Sequence, residues 1–141
     1  MPAKLPPDPC RDLRNQAVKI LIADDDPISR AMISVPLRAS AGMEVVEAAN
    51  GQEARSLFDK NQFDAVVIDW QMPGMSGLDF TRSIRLTGSQ VPILMVTAQS
   101  GRQHVIKAIK AGISDYLLKP FEANVLWSKV SRLIGRPAES K

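Results

Sequence analysis

Short apolar runs rich in β-branched residues recur along the chain, and they alternate with longer stretches whose apolar residues return every three to four positions. Runs of the first kind are typical of buried strands, and stretches of the second kind are typical of amphipathic helices. The predicted strands are Val18–Ala23, Glu44–Ala48, Asp64–Asp69, Val91–Thr97 and Ser114–Lys119. The predicted helices cover about residues 27–41, 51–60, 77–86, 101–111 and 122–134. This alternation of strand and helix predicts an α/β fold, a doubly wound parallel sheet with right-handed crossovers and helices on both faces.

Residues suited to N-capping stand at four of the predicted helix starts. Asp26 precedes Pro27, so a good cap acceptor is followed by a proline at the first helical position. Three further starts place a cap and a partner three residues apart, as in a capping box: Asn50 with Glu53, Ser76 with Asp79, and Ser100 with Gln103. The last helix is predicted to stop near Gly135, because glycine suits a left-handed C-cap and Pro137 cannot continue the helix.

Pro36 is the one residue that conflicts with its predicted helix. A proline inside a helix costs about 3 kcal/mol and removes one backbone hydrogen bond. The first helix is therefore expected to kink or divide at Pro36.

Composition narrows the class of protein. A chain of 141 residues with 45% hydrophobic content suits a single globular domain. Its net charge of +3 is too small an excess to indicate direct nucleic-acid binding. The single cysteine, Cys10, excludes an internal disulfide, and the single histidine, His104, argues against a Ser-His-Asp triad or a multi-histidine metal site. We expect Cys10 to be inert and His104 to lie on the exposed side of its helix.

The ends of the chain differ from its middle. Residues 1–17 contain four prolines and no periodicity, so we expect a flexible arm, followed by one domain over residues 18–135 and a short tail over 136–141. There is no signal-peptide pattern and no run that approaches the ~18 apolar residues of a membrane span. A cytoplasmic protein without a membrane partner is expected.

Polar residues follow the predicted strands at the edge where an open parallel sheet binds ligands. The first strand runs into Asp24 and Asp25, the third ends in Asp69, the fourth ends in Thr97 and the fifth ends in Lys119. If the first and third strands are neighbours, about 4.8 Å apart, their carboxylates repel one another unless a cation intervenes. Mg²⁺ prefers oxygen ligands and uses one or two protein carboxylates, so this edge predicts a magnesium site.

The same segments resemble the receiver domain of two-component response regulators over about residues 18–135. The resemblance rests on the acidic pair and on three later segments: Asp69-Trp70-Gln71-Met72-Pro73-Gly74-Met75-Ser76-Gly77, Thr97-Ala98 and Tyr116-Leu117-Leu118-Lys119-Pro120-Phe121. It implies a flavodoxin-like sheet of five strands in the order 2-1-3-4-5. It also implies that Asp69 accepts a phosphoryl group from a sensor histidine kinase or a phosphotransfer protein.

The resemblance assigns a role to each residue of the edge. Asp25, Asp69 and the backbone carbonyl of Gln71 are expected to ligate Mg²⁺, with Asp24 acting mainly through a water, while Thr97 and Lys119 contact the phosphoryl oxygens. Two further groups of roles follow from it. Access to the site and dephosphorylation are assigned to Ala98, Gln71 and Gln99. A switch is assigned to Thr97 and Tyr116, which would reshape the face of the fourth helix, fifth strand and fifth helix so that it binds a target protein or a second copy.

Several functions remain open at this point. The protein is expected to be a stand-alone signalling module, not a turnover enzyme, because only one helix and a short tail follow Lys119. It could equally serve as a phosphorelay intermediate. A receiver-like binding module that needs no phosphorylation is a second class, although the intact set of Asp25, Asp69, Thr97 and Lys119 argues against it. A metal-dependent phosphatase on a related fold is a third class, although no cap domain or additional acidic pair is evident.

Overall fold

The computed structural model describes residues 18–40 and 42–135. The predicted arm, the predicted tail and Cys10 therefore lie outside the described residues. The described residues include no helix with the length and apolar character needed to cross a membrane. The expected cytoplasmic location stays a prediction.

Five parallel strands form one sheet in the order β2-β1-β3-β4-β5, as expected. The strands are β1 (Val18–Ala23), β2 (Met43–Ala48), β3 (Ala65–Ile68), β4 (Ile93–Thr97) and β5 (Asp115–Leu118). The predicted strand positions are correct, with small differences at the ends. Strand β2 begins one residue earlier than predicted, β3 and β5 are one residue shorter at each end, and β4 begins two residues later.

Helices cover both faces of the sheet, which confirms the doubly wound architecture. They are α1 (Pro27–Arg38), α2 (Gly51–Lys60), α3 (Gly77–Leu86), α4 (Arg102–Ala111) and α5 (Ala123–Leu133). One buried cluster contains residues of α2, α3 and α4, and the other contains residues of α1 and α5. Alternate residues of β1 enter the two clusters, so that Leu21 packs on the first side and Ile22 on the second. Each fully buried branched side chain contributes about 1.5–3 kcal/mol, so the two cores hold the strand ends in place.

Three of the four predicted helix caps are present. The Asp26 carboxylate accepts from Ser29 N, Asn50 caps α2 through Glu53 N, and Ser76 forms a reciprocal capping box with Asp79 at α3. The prediction for Ser100 is wrong. The N-cap of α4 is Gly101, which has no side chain to offer, and no side chain in the described part of the chain caps this helix.

Helix α1 continues through Pro36 and is not divided there. It ends at Arg38, two residues later and short of the predicted residue 41. Because Pro36 lies in the last turn, little helix remains beyond it to be separated from the rest. The Ser40 hydroxyl donates to the Pro36 carbonyl at 3.2 Å and satisfies one acceptor of this helix end.

Candidate functional site

Three carboxylates meet where β1 and β3 end. Ala23 and Ile68 are paired in the sheet, and Asp69 N donates to the Ala23 carbonyl at 3.0 Å, which carries the acidic residues that follow to one edge. Each of Asp24, Asp25 and Asp69 offers an oxygen that lies within 4.8 Å of the other two. This oxygen-rich, partly open arrangement fits a hard divalent cation such as Mg²⁺.

The three carboxylates differ in exposure. Asp24 is fully buried, Asp69 is 7% exposed and Asp25 is exposed. Burial raises the pKa of Asp24, although hydrogen bonds from Lys119 and from Asp26 N oppose the shift. The Asp26 amide donates to Asp24 Oδ1 at 3.0 Å. Asp24 is therefore fixed in the interior, while Asp25 faces the solvent from which a ligand would arrive.

Lys119 connects two of the acidic residues. Its Nζ lies 2.8 Å from Asp69 Oδ2 and also 2.8 Å from Asp24 Oδ2. Burial of the ammonium would lower the pKa of Lys119, but its hydrogen bonds to the two carboxylates outweigh burial, and the pKa is raised. Lys119 therefore stays protonated and places a fixed positive charge beside Asp69.

The end of β4 supplies the hydroxyl and the small residue that the sequence predicts. Thr97 is buried, Ala98 is exposed, and Gln99 N donates to Thr97 Oγ1 at 3.3 Å. Since β4 pairs with β3, Thr97 belongs to the same edge as Asp69. Ala98 leaves the surface beside it open, because its side chain is a single methyl group.

Tyr116 lies on β5 and reaches the loop after β4. Its hydroxyl donates to the backbone carbonyl of Gln99, and its ring packs against the core cluster that α4 joins. Leu117 packs in the opposite cluster, because successive side chains of a strand point to opposite faces of the sheet. Burial and, to a smaller extent, the charge of Asp69 raise the pKa of Tyr116.

Gln71 lies beside the acidic residues on the solvent side. Its backbone amide donates to Asp69 Oδ1 at 3.3 Å. The exposed side of the site is a shallow cavity of about 570 Å³, lined by Asp25, Trp70, Gln71, Met72, Pro73 and Ser76. A ligand in this cavity would lie against Asp25, Trp70 and Gln71.

His104 lies closer to this site than the sequence suggests. The expectation of an exposed histidine is wrong, because its ring is half-buried and packs edge-on against Trp70 with 5.1 Å between ring centroids. Its Nδ1 atom is buried and has no hydrogen-bond partner among the described residues. No sequence signal links a residue of α4 to the residue after Asp69, since this contact depends on how α4 packs on the sheet.

Comparison with known families agrees with this geometry. A family model described as "Response regulator receiver domain" matches residues 20–131. The chain belongs to this family. Receiver domains typically bind Mg²⁺ at an acidic cluster, and the three aspartates of this chain fit that description. Receiver domains of this type are signalling proteins and not turnover enzymes.

Curated relatives of this receiver domain include chemotaxis proteins. Chemotaxis protein CheY of Pseudomonas aeruginosa is 39% identical over 121 residues, which cover 84% of this chain and 98% of that protein. Chemotaxis protein CheY-3 of Vibrio cholerae is 38% identical over 124 residues, covering 86% of this chain and 95% of that protein. The match therefore extends over nearly the whole length of each relative.

Solved structures show the same fold. A putative response regulator from Chloroflexus aurantiacus superposes with a TM-score of 0.79 at 39% identity, covering 86% of this chain and 100% of that one. The receiver domain of the putative response regulator NarL from Mycobacterium tuberculosis gives a TM-score of 0.81 at 26% identity, covering 85% and 98%. The flavodoxin-like receiver fold is thus shared across relatives of quite different sequence.

Proposed function

We propose that this protein accepts a phosphoryl group on Asp69 from a sensor histidine kinase or a phosphotransfer protein and signals through protein contacts. The observation that carries the proposal is the Lys119 ammonium 2.8 Å from Asp69 Oδ2, at a strand end where two further carboxylates converge. Phosphoryl transfer depends mainly on positioning and charge neutralisation, which this set of residues is built to supply.

The proposed chemistry is a direct displacement at phosphorus. An Asp69 oxygen attacks the phosphorus of a phosphohistidine, the new P–O bond forms as the P–N bond breaks, and the imidazole leaves with the bonding pair and takes a proton. The product is an acyl phosphate on Asp69. The Lys119 ammonium and the Thr97 hydroxyl stabilise the transferred oxygens, while the small Ala98 side chain keeps the approach open.

The acidic residues would hold the metal. Asp25, Asp69 and the Gln71 carbonyl would ligate Mg²⁺, and Asp24 would act mainly through a water. When bound, Mg²⁺ would neutralise charge on the phosphoryl oxygens. Hydrolysis of the acyl phosphate needs a water beside Asp69, and Gln71 and Gln99 are the side chains we assign to its access and thus to the phosphoryl lifetime.

The acceptor can be tested by intact-mass measurement after treatment with acetyl phosphate and Mg²⁺. Wild type should gain one phosphoryl group, and Asp69→Asn should gain none, because an amide lacks the nucleophilic charge of a carboxylate. Asp59→Asn, which changes an exposed aspartate on α2, should react like wild type. A phosphoryl group on Asp69→Asn would place the acceptor elsewhere.

We further propose that phosphorylation is transmitted through Gln99. The backbone amide of Gln99 donates to the Thr97 hydroxyl, and the backbone carbonyl of Gln99 accepts from the Tyr116 hydroxyl. The backbone of one residue therefore joins the proposed phosphoryl contact, Thr97, to Tyr116. A phosphoryl group that draws the Thr97 hydroxyl toward Asp69 would weaken the first of these bonds. The populations of the Tyr116 rotamers would then shift, since rotamers that differ by a few kcal/mol respond to such a change.

Solution NMR of the Tyr116 ring tests this coupling. Beryllofluoride is a suitable phosphoryl mimic, and a related receiver has been solved as "BeF3 Activated DrrB Receiver Domain". The ring resonances of wild type should move on adding Mg²⁺ and beryllofluoride. Thr97→Val, which keeps the shape but removes the hydroxyl, should reduce that movement. Unchanged ring resonances in wild type that binds the mimic would contradict the switch.

The output face would be formed by α4, β5 and α5. Ile106, Ile109 and Leu118 are large apolar residues that are 42%, 60% and 42% exposed on α4 and β5. A target protein or a second copy of this chain would bind there when Tyr116 changes its environment. Loss of phosphorylation without loss of target binding would instead favour a binding module that needs no phosphoryl group.

A further inference from the structure

Arg30 contacts the backbone of the acidic loop. It lies on α1, and its Nη1 donates to the Asp24 carbonyl at 2.7 Å. Its Nε donates to Glu47 Oε1 at 3.1 Å. We infer that Arg30 is a positioning residue for the metal site, which holds the Asp24–Asp25 peptide so that the exposed Asp25 carboxylate faces the ligand position.

The position of the Asp25 carboxylate depends on its backbone, because no hydrogen bond from the described residues restrains the carboxylate itself. In residues 18–40 and 42–135, no hydrogen bond to the Asp25 carboxylate is present, whereas Asp24 and Asp69 are both held by Lys119. The direction of the Asp25 side chain therefore depends on the backbone that carries it. The Asp24 carbonyl belongs to the peptide between Asp24 and Asp25, so the bond from Arg30 restrains the plane of that peptide.

Glu47 holds the Arg30 guanidinium in place. It lies on β2, and its second oxygen accepts from Arg38 Nη2 at 2.8 Å. The hydrogen bonds from Arg38 and Arg30 outweigh burial and keep the pKa of Glu47 low, so its carboxylate is charged at neutral pH. The next residue, Ala48, accepts from Asp24 N at 3.2 Å. The β1–α1 loop is thus attached to the end of β2 both by a backbone bond and by the Arg30–Glu47 pair.

The Arg30 side chain is suited to this task. It is only 21% exposed, and the planar guanidinium can donate along two directions at once, to the carbonyl and to the carboxylate. Its hydrogen bonds go to a carbonyl and to Glu47, away from the reacting oxygens of Asp69, so Arg30 acts through Asp24 and Asp25. A metal site whose ligands are held in place before binding loses less entropy when the ion arrives.

The inference rests on the proposed function where it concerns Mg²⁺, and a matched pair of variants tests it. Arg30→Gln removes the donor to Asp24, while the control Arg38→Gln removes a partner of Glu47 that does not touch the acidic loop. Amide hydrogen exchange of Asp26, measured by NMR in metal-free protein, reports the loop directly, because this amide donates to Asp24 Oδ1. Mg²⁺ titration, followed through the amide shifts of Asp69 and Trp70, reports the site.

In Arg30→Gln we expect the Asp26 amide to exchange about tenfold faster and Mg²⁺ to bind about tenfold more weakly, the size of one lost hydrogen bond that involves a charged group. Arg38→Gln should stay within about twofold of wild type on both measurements. Urea unfolding of both variants shows whether each is folded under the conditions used.

The outcomes separate the two proposals. Equal amide exchange in Arg30→Gln and wild type, or equal acceleration in both variants, would overturn the role of Arg30. Faster exchange in Arg30→Gln alone, with no Mg²⁺ binding by wild type, would support the positioning of the loop and contradict the proposed metal site. Faster exchange together with unchanged Mg²⁺ affinity would show that the loop tolerates the loss, and would overturn the inference as well.

Discussion

Asp24 shows how a buried charge is tolerated at the residue scale. Its carboxylate is fully buried, and removal from water disfavours the ionised form, so its pKa is raised. The Lys119 ammonium and the Asp26 amide compensate for part of this cost. An ion pair of this kind is weak support for stability, because desolvation of both partners opposes their attraction. In the proposed function, this pair places a positive charge beside Asp69.

The pH dependence of stability follows from the Asp24 shift. The unfolded chain ionises this carboxyl near its ordinary value of 3.8, whereas the folded protein holds the proton to higher pH. Between those two values the folded state binds more protons, so the free energy of unfolding falls as pH rises through the window. The raised pKa of Lys119 does not contribute there, since its stabilisation is lost only as pH rises above 10.5.

We expect Asp24→Asn to remove this fall in stability. The lowered pKa of Glu47 makes its own contribution to stability rise with pH near 4, so wild type is compared with the variant. In urea unfolding of metal-free protein from pH 4 upward, wild type should lose about 1.4 kcal/mol relative to Asp24→Asn for each pKa unit of the Asp24 shift. Asp25→Asn is the control, because it leaves the buried Asp24 in place and should keep the wild-type slope. The same slope in wild type and Asp24→Asn would mean that Asp24 does not cause it.

At the element scale, the helix starts show where local sequence pattern predicts structure and where it does not. Asp26, Asn50 and Ser76 cap their helices as predicted because a short polar side chain can reach the free amides of its own first turn. Ser100 has the same residue type and the same spacing, yet α4 begins at Gly101 without a side-chain cap. In the loop before α4, the backbone carbonyl of Gln99 accepts a hydrogen bond from Tyr116 on another strand. Local pattern is insufficient where a tertiary contact holds the preceding loop.

This difference predicts unequal effects of two serine substitutions. Ser76→Ala should lower the free energy of unfolding by about 1 kcal/mol, because the amide of Asp79 loses its acceptor. Ser100→Ala, at an exposed residue that caps nothing, should change it by less than about 0.5 kcal/mol. Urea denaturation at neutral pH measures both. A larger effect for Ser100→Ala than for Ser76→Ala would contradict the assigned helix starts.

At the scale of the whole molecule, parallel strand direction concentrates the chemistry at one edge. Asp24, Asp69 and Lys119 each follow a different strand, and Thr97 is the last residue of a fourth. The sheet order places Asp24 and Asp69 after neighbouring strands, with Lys119 two strands from Asp69. The core on both faces keeps these strand ends together although three carboxylates share the edge. Part of the folding free energy therefore opposes charge repulsion, which a cation would relieve.

Addition of Mg²⁺ should consequently raise the melting temperature. At tenfold excess over its dissociation constant, a ligand that binds only the folded state contributes about 1.4 kcal/mol. For a domain of this size, that corresponds to an increase of about 3–6 °C, measured by thermal denaturation in Mg²⁺ and in chelator at equal ionic strength. Asp25→Asn should show a smaller increase, because it removes one anionic ligand. A wild-type melting temperature that Mg²⁺ leaves unchanged would contradict the metal site.

By itself the sequence determined the positions of the strands and helices, because apolar periodicity reflects burial on one or both faces. It also placed the acidic residues, Thr97 and Lys119 at strand ends, and its resemblance to receiver domains supplied the strand order and the proposed acceptor. These features depend on local pattern and on motifs that are continuous in the chain, so they can be recognised before any contact is known.

Only the tertiary structure decided which side chains touch. Four contacts join separate elements in this way: Lys119 with Asp24, the Tyr116 hydroxyl with the Gln99 carbonyl, His104 with Trp70, and Arg30 with the Asp24 carbonyl. A long side chain such as Arg30 can reach several acceptors, and its choice depends on helix orientation and on burial of each polar group. Those quantities are set by the packing of helices on the sheet, which the local pattern of residues does not contain.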